Sequence, residues 1–266
     1  MTRLAVFLAA LVLVPAASAA FPAPYAVQGP AVVLSSLDGL VQFTALKHGA
    51  DTRVVAAGEM SKSAVVAGAY GIPGVTQSGL AGGLFHDGSA FVLQQVGFAK
   101  TSHFAVVSTA DLSVLQKVDL KGTFGYDALS PDGSMLYLIQ HTTAEDWQHY
   151  VVRAYDLKAG RLLPGRVADK AQKSWVMQGW AVARAETTNG RWAYTLYMNP
   201  GGYPFVHALD TVRGVAHCIG LPWTASNQDA VSQFTLAVRG DRLLVRWQDG
   251  RAWRTVDRRT WRVSQP

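Results

Sequence analysis

Cysteine is almost absent from this sequence. Its one cysteine, Cys218, leaves no possibility of a disulfide within the chain. Cys218 lies in an apolar, strand-like run over residues 215–220, where a free thiol behaves as a small hydrophobic side chain. We therefore expect an inert thiol rather than a nucleophile. We also expect the fold to depend on its core, which is plausible since 49% of the residues are hydrophobic.

Long apolar runs are also scarce, and the only one stands at the N-terminus. It covers residues 4–14, which is too short for a membrane anchor, because a span needs about 20 apolar residues. Arg3 precedes the run, and Ala17–Ala19 forms a small-x-small cleavage site. The pattern predicts a signal peptide over residues 1–19. Residues 20–266 are then expected to form a single soluble domain without a transmembrane segment, a monomer secreted to the periplasm or the exterior.

Acidic residues are few, and the glutamates are limited to Glu59, Glu145 and Glu186. Paired carboxylates could still act on glycosidic bonds, because their separation in space cannot be read from a sequence. The chain contains no G-x-S-x-G nucleophile elbow and no H-E-x-x-H metal motif. Catalysis is therefore the alternative rather than the first expectation.

Positive charge exceeds negative charge, and the excess is concentrated near the C-terminus. Removal of residues 1–19 deletes Arg3 and no acid, which lowers the formal net charge from +6 to +5. Residues 239–262 contain eight arginines against three aspartates. Such a region is either a solvated strand face or a patch that attracts polyanions. For an exported protein an anionic cell-wall polymer is the expected polyanion, and nucleic acid is not.

A short turn recurs along the chain at nearly constant spacing. The clearest copy is Ser130-Pro131-Asp132-Gly133, where proline presets one backbone angle and glycine accepts a positive φ. The glycines of the five copies lie 45 to 57 residues apart, at Gly39, Gly88, Gly133, Gly190 and Gly240. A second turn keeps a similar period at Asp111, Asp156, Asp210 and Asp257. Two independent features with one period predict a repeated structural unit.

Each unit holds about four short strands, and no helical periodicity is sustained. A repeat of this length with four strands per unit predicts an all-β fold, a β-propeller of four-stranded blades. Five blades can be counted, and six or seven are possible because residues 53–82 are ambiguous. Closure of a ring would require residues 25–27 or 31–34 to join the last blade.

The hairpin over residues 128–138, A-L-S-P-D-G-S-M-L-Y-L, resembles the blade hairpin of YVTN-type, WD40-like bacterial β-propellers. The following strand and aspartate turn, over residues 152–161, resemble the same family. The match is good over residues 124–169 and partial in the other four units. Such hairpins mark blades and not activities, so the resemblance implies the fold alone.

Two polar or aromatic loops supply candidate binding residues. Residues 140–149 contain His141 and His149 with acids between them, a possible mixed ligand set for a divalent metal, or else only a solvated connection. No other cofactor is expected. A glycine- and proline-rich loop over residues 197–204 is the second candidate. Tryptophans crowd the second half of the chain, where they either pack between blades or stack on a ligand.

These observations predict an exported, non-enzymatic propeller that acts as a ligand- or protein-binding scaffold through loops on one face. The expected ligand is a peptide, a glycan or an anionic cell-wall polymer. The expected contact residues are Trp175, Trp223, Tyr197, Asn199, Tyr203, Trp147, Glu145 and Asp146. A secreted polysaccharide hydrolase or lyase is the alternative. It requires two or more of five histidines to converge with a carboxylate at the channel mouth: His86, His141, His149, His207 and His217.

Overall fold

The structure, a computed structural model, describes residues 25–143, 145–169, 176–223 and 229–265. The predicted signal peptide and Trp175 lie outside the described residues. Within them, the chain forms antiparallel strands and one short 3-10 helix, Asp229–Gln233. No helix in this part of the chain is long and apolar enough to cross a membrane. The all-β prediction is confirmed.

The strands form five sheets, and in each sheet consecutive strands are neighbours. Sheet 1 contains β2 (Leu34–Ser35), β3 (Gln42–His48), β4 (Asp51–Ala57) and β5 (Lys62–Val66). Sheet 2 contains β6 (Tyr70–Gly74), β7 (Ala90–Gln95), β8 (Thr101–Ser108) and β9 (Val114–Lys121), with β1 (Tyr25–Val27) added beside β6. Sheet 3 contains β10 (Phe124–Leu129), β11 (Met135–His141), β12 (His149–Asp156) and β13 (Arg161–Leu162), and β14 (Met177–Gln178) pairs with β12.

The last two sheets follow the same order. Sheet 4 contains β15 (Trp180–Glu186), β16 (Trp192–Met198), β17 (Phe205–Asp210) and β18 (Val215–Gly220). Sheet 5 contains β19 (Phe234–Arg239), β20 (Arg242–Trp247), β21 (Ala252–Asp257) and β22 (Val263–Ser264). The five repeats expected from the glycine and aspartate turns therefore correspond to five sheets.

The recurring glycine turn joins the first and second strands of every sheet. In sheet 3 the Gly133 amide donates to the Ser130 carbonyl at 2.9 Å, and the Asp132 carboxylate accepts the Ser134 amide at 3.1 Å. Gly133 has a φ of 67°, a conformation that glycine adopts without a steric penalty. The other four predicted glycines also have positive φ, between 52° and 73°. The turn prediction is confirmed in all five units.

Hydrophobic cores lie between successive sheets, which are therefore packed face to face. Each core is named by the two sheets that form it, so that core 1/2 lies between sheets 1 and 2. Core 1/2 contains Phe43, Val54 and Phe91, and core 2/3 contains Phe104, Leu136 and Leu138. Core 3/4 contains Tyr137, Tyr150 and Phe205, and core 4/5 contains Tyr194, Phe234 and Val245. Within the described part of the chain, no fifth core joins sheet 5 with sheet 1.

The N-terminal segments do not join the last blade, as ring closure would require, but pair with strands of sheets 1 and 2. Tyr25–Val27 pairs with β6 of sheet 2, and Leu34–Ser35 pairs with β3 of sheet 1. The position of β1 depends on Gly71, because a Cβ there would lie 2.6 Å from the backbone of Val27. Only glycine permits this approach, so the pairing of β1 with sheet 2 depends on a residue that is distant in the sequence.

The first strands of sheets 2, 3 and 4 are linked near the centre of the molecule. The Gln77 amide, in the connection after β6, donates to the Ala181 carbonyl of β15 at 2.9 Å. The Arg184 side chain of β15 donates to Asp127 of β10 at 2.9 Å. The first contact joins sheets 2 and 4, which are not consecutive, and the second joins the consecutive sheets 3 and 4.

Candidate functional site

The connections between strands fall at two ends of the molecule, because neighbouring strands run in opposite directions. First-to-second strand connections define the turn end: residues 36–41, 75–89, 130–134, 187–191 and 240–241. Second-to-third strand connections and the links between sheets define the loop end. Its described members include residues 96–100, 142–143 with 145–148, 199–204, and 221–223 with 229–233. The described candidate residues of the sequence lie in or beside the loop-end connections.

The loop over residues 142–148 is organised by Asp146. Its carboxylate accepts the backbone amides of Gln148 and His149 at 3.0 and 3.1 Å. The same carboxylate lies 2.8 Å from Nδ1 of the His149 ring. Glu145 is exposed beside it. Asp146 therefore shapes this loop, whereas Glu145 is available at its surface.

An aromatic group lies beneath and beside the same loop. The rings of Phe98 and Trp147, both partly exposed, are 4.1 Å apart at their centroids. The His141 ring lies 5.8 Å from Trp147 and is only 3% exposed. Burial lowers the pKa of His141 to about 4, so the ring is neutral near pH 7. Phe98 was not singled out by the sequence analysis, and its position between two strands is the signal that could have found it.

A metal site at His141 and His149 stays a prediction. The His149 ring is engaged by Asp146, and the His141 ring packs among aromatic side chains. Among the residues that the structure describes, no group of three or more histidine, cysteine or acidic side chains is arranged to hold a metal ion. The pair therefore has no third protein ligand in that part of the chain.

Two of the expected contact residues are used in packing. Tyr197 is 3% exposed, and its ring lies 5.1 Å from Phe205 in core 3/4. Trp223 is partly buried and makes edge contacts with Phe234 and Trp253 at 6.0 and 5.6 Å. The structure thus places both rings where aromatic packing stabilises the sheets. Their roles in ligand binding stay predictions.

The loop over residues 199–204 presents an aromatic ring to solvent. Tyr203 is 64% exposed. Its carbonyl accepts the Asn199 side-chain amide at 3.4 Å, so Asn199 supports the loop that carries the ring. Tyr203, Trp147 and Glu145 are consequently the predicted residues with side chains accessible at the loop end.

A buried charged group, missed by the sequence analysis, lies near the centre. Arg184 is 3% exposed and donates to Asp127, Glu186 and Thr195 at 2.9, 2.9 and 3.1 Å. Burial opposes the charge on Arg184, but Glu186 and Asp127 outweigh it, and the pKa of Arg184 is raised. The signal was present in the sequence, because charged residues interrupt otherwise apolar strands at both Asp127 and Arg184.

A cavity of about 410 Å³ opens beside this group at the turn end. Its walls include Leu34, Val75, Leu80, Tyr126, Arg184 and Glu186. The size is within the range of small-ligand pockets, and the lining combines apolar walls with a few polar groups. The charged residues of the lining are Arg184 and Glu186, so the polar side of the cavity offers one cationic and one acidic side chain. This cavity is a second place where a ligand could bind.

Comparison with known proteins identifies the architecture. No family model matches the sequence, and no curated protein matches it. The structure of a protein described as the Dos1 propeller superposes with a TM-score of 0.52 and 12% identity, covering 88% of this chain and 59% of that one. The fold is a β-propeller. At this identity the likeness concerns the fold alone.

Other propellers are similar at lower scores. TolB from Acinetobacter baumannii gives a TM-score of 0.45 at 12% identity, over 83% of this chain and 53% of that chain. The Cps50 (Swd1) β-propeller domain of Myceliophteria thermophila gives 0.48 at 14% identity, over 86% and 67%. The propeller thus spans from about half to two thirds of the length of these chains.

The histidines of the propeller are distributed over both ends and the outer strands. His86 lies over Gly190 at the turn end. The carboxylate of Asp169 lies 3.8 Å from Nδ1 of His217 and accepts the Cys218 backbone amide at 3.2 Å. Nδ1 of His207 lies 3.6 Å from the Cys218 sulfur. One of these histidines, His217, thus approaches a carboxylate, and it does so at the outer strand of sheet 4 rather than at the mouth of the central cavity.

The close approach of His207 and Cys218 does not activate the thiol. Burial raises the pKa of Cys218 to about 12 and lowers the pKa of His207 to about 4. Both groups are therefore neutral near pH 7, whereas a nucleophilic cysteine needs a thiolate stabilised by positive charge. The space beside them, bordered by Met177 and Asp169, has room for about one water molecule.

Proposed function

We propose that this chain is an exported β-propeller that binds a peptide or a glycan through its loop end and does not transform it. The observation that supports the proposal is the accessible aromatic surface there. Trp147 and Phe98 form a partly exposed pair, and Tyr203 projects from the neighbouring sheet. Rigid sheets that carry aromatic loops are a common basis for recognition, because the rings lose little conformational entropy on binding.

Two of the titratable groups at the loop end favour binding over catalysis. At the loop end, His141 is buried and neutral, and Asp146 is occupied by His149 and two backbone amides. A general acid or base needs a group that can exchange a proton with the substrate. Aromatic faces, in contrast, can stack on sugar rings or apolar side chains without any proton transfer.

The test is a binding screen of the mature protein, from Ala20 onward, on glycan and peptide arrays, followed by titration of the best ligand. Tyr203→Ala and Trp147→Ala are each expected to weaken binding about tenfold, the equivalent of about 1.4 kcal/mol. Leu37→Ala is the matched control, because Leu37 is 64% exposed but belongs to the turn end. It is expected to bind as the unmodified protein does.

Unchanged affinity in both aromatic variants would contradict the proposal. Loss of affinity on Glu186→Gln alone would instead place the ligand in the central cavity. Release of sugars from a polysaccharide during the titration would favour the enzymatic alternative.

A further inference from the structure

Sheet 5 has one packed face and one unpacked face. Phe234, Val245 and Val256 point into core 4/5 and are buried. The alternate positions point the other way, and there Ala237 and Leu244 stay partly exposed. The five sheets form four cores in the described residues, so this outer face of sheet 5 has no core of its own.

Arginines flank the apolar centre of this face. Arg239 and Arg242 are opposite each other at one end of the hairpin of β19 and β20, and both are exposed. Arg246, which is partly exposed, lies at the other end. Arg246 lies four positions after Arg242 in β20, a distance of about 13 Å along an extended strand, with Leu244 midway.

These three arginines lack the partners that other arginines of the chain have. Arg251 pairs with Asp249, and Arg259 pairs with Asp241. In the described ranges, the side chains of Arg239, Arg242 and Arg246 make no ion pair and donate no hydrogen bond.

The carboxylate nearest to this arginine pair in the strand register is directed toward its own turn. Asp257 is opposite Arg242 in the strand register. Its Oδ1 accepts the backbone amides of Arg259 and Thr260 at 2.9 and 2.8 Å, which closes its own turn. Among the described residues, neither Arg239 nor Arg242 forms an ion pair with this carboxylate. Like charges directly opposite each other are unfavourable, so an external anion would relieve a repulsion.

We propose that the outer face of sheet 5 docks an acidic protein segment, one that presents carboxylates on both sides of an apolar side chain. The carboxylates would meet Arg242 and Arg246, since the guanidinium fork matches a carboxylate with two hydrogen bonds. The apolar side chain would cover Leu244 and Ala237. This surface is separate from the loop end, and the inference goes beyond the proposed function.

Charge complementarity disfavours a second copy of this chain as the occupant. Contact between two such faces would bring arginine against arginine. The outward face of sheet 1, the other unpacked sheet face, carries Leu46, Val55 and Arg53. Its carboxylate, Asp51, already accepts the Gly68 amide at 2.9 Å. A phosphate polymer would satisfy the arginines but would leave Leu244 without an apolar partner.

The experiment measures binding of a short fluorescein-labelled peptide to the full mature protein by anisotropy. The peptide contains the sequence Glu-Ser-Leu-Ser-Glu, so that an extended chain presents glutamate, leucine and glutamate on one face. The double variant Arg242→Glu/Arg246→Glu is expected to weaken binding about tenfold or more. Added salt should weaken binding to the unmodified protein, because it screens the attraction between arginine and glutamate. The control Lys158→Glu/Arg213→Glu changes the net charge equally at exposed positions of other sheets, and is expected to bind normally. Arg242→Gln/Arg246→Gln, with thermal melts, checks that the reversed charges do not merely unfold the sheet.

Several outcomes would overturn the proposal. An equal loss in the control pair would show only a net-charge effect. Equally tight binding of polyphosphate or of vesicles of anionic lipid would show a general anion site rather than a protein-docking face. A dimer in light scattering that Arg242→Glu/Arg246→Glu disrupts would make a second copy the occupant. Tyr203→Ala should leave peptide binding unchanged, so failure here and failure of the loop-end proposal are distinguishable.

Discussion

Arg184 at the centre of the propeller and Arg242 on the outer face of sheet 5 are the same side chain in opposite surroundings. Arg184 is 3% exposed and bonded to two carboxylates. Arg242 is exposed and paired with none among the described residues. A buried, compensated charge of the first kind is tied to the packing of the sheets. An exposed charge without an ion pair, such as that of Arg242, is accessible to an anionic partner.

The difference predicts how each region responds to substitution. Removal of one member of a buried ion pair leaves the other charge buried without a partner. The resulting loss of stability is much larger than the net stabilisation that the intact pair provided. Removal of an exposed charge changes little, because water had already solvated it. Stability measurements therefore distinguish the two regions before any ligand is known.

The largest expected effect comes from Arg184→Met. It leaves Asp127, which is 5% exposed, without its partner, and we expect a loss of about 3–5 kcal/mol in the free energy of unfolding. Glu186 contributes less, because its side chain is 43% exposed and remains hydrated. Urea unfolding at neutral pH measures the change. The double variant Arg184→Met/Asp127→Leu should recover part of the loss, since no buried charge is then left alone. A loss below about 1 kcal/mol in the single variant would contradict the assignment of Arg184 to the stabilising centre.

An intermediate effect is expected from the buried histidines as the pH falls. Burial lowers the pKa values of His141 and His207 to about 4, whereas an unfolded histidine titrates near 6.5. Between about pH 6.5 and pH 4 the unfolded chain binds protons that the folded chain does not, so stability is lost as the pH falls through this window. From about pH 7.5 to pH 5 each histidine should account for about 2 kcal/mol of that loss.

Urea unfolding at the two pH values checks this expectation. His207→Asn should show a weaker pH dependence than the unmodified protein, because one of the two depressed groups is gone. His86→Asn, for which no such burial applies, serves as the comparison. An unaltered pH dependence in His207→Asn would show that His207 is not kept neutral by burial.

The repeated turns could be predicted from sequence because their chemistry is local. Gly133 needs its positive φ, and Asp132 binds an amide two residues away, so each requirement is readable within a few positions. The partner of β1 could not be read in this way. It depends on the absence of a side chain at Gly71, far along the chain from Val27. The five-sheet architecture was therefore predictable, and the pairing of its N-terminal strands was not.

The candidate site was predicted less completely. Residues in connections, such as Tyr203, lie at one end of the molecule because strand direction alone determines that end. Tyr197 belongs to β16, whose residues are buried at successive positions on both faces of the sheet. Alternation of polar and apolar residues, which separates an exposed face from a buried one, is missing there. Whether such a ring meets a ligand or a neighbouring sheet is decided by packing that a sequence does not show.

The smallest expected effect on stability comes from the triple variant Arg239→Gln/Arg242→Gln/Arg246→Gln. These side chains have no partner among the described residues, and two of them face each other with like charge. We expect the free energy of unfolding to change by less than about 0.5 kcal/mol, or to rise slightly as the repulsion is removed. Urea unfolding of the free protein measures this. A loss above about 2 kcal/mol would mean that the arginines already stabilise the folded propeller, and the outer face of sheet 5 would then belong with Arg184 as part of the scaffold.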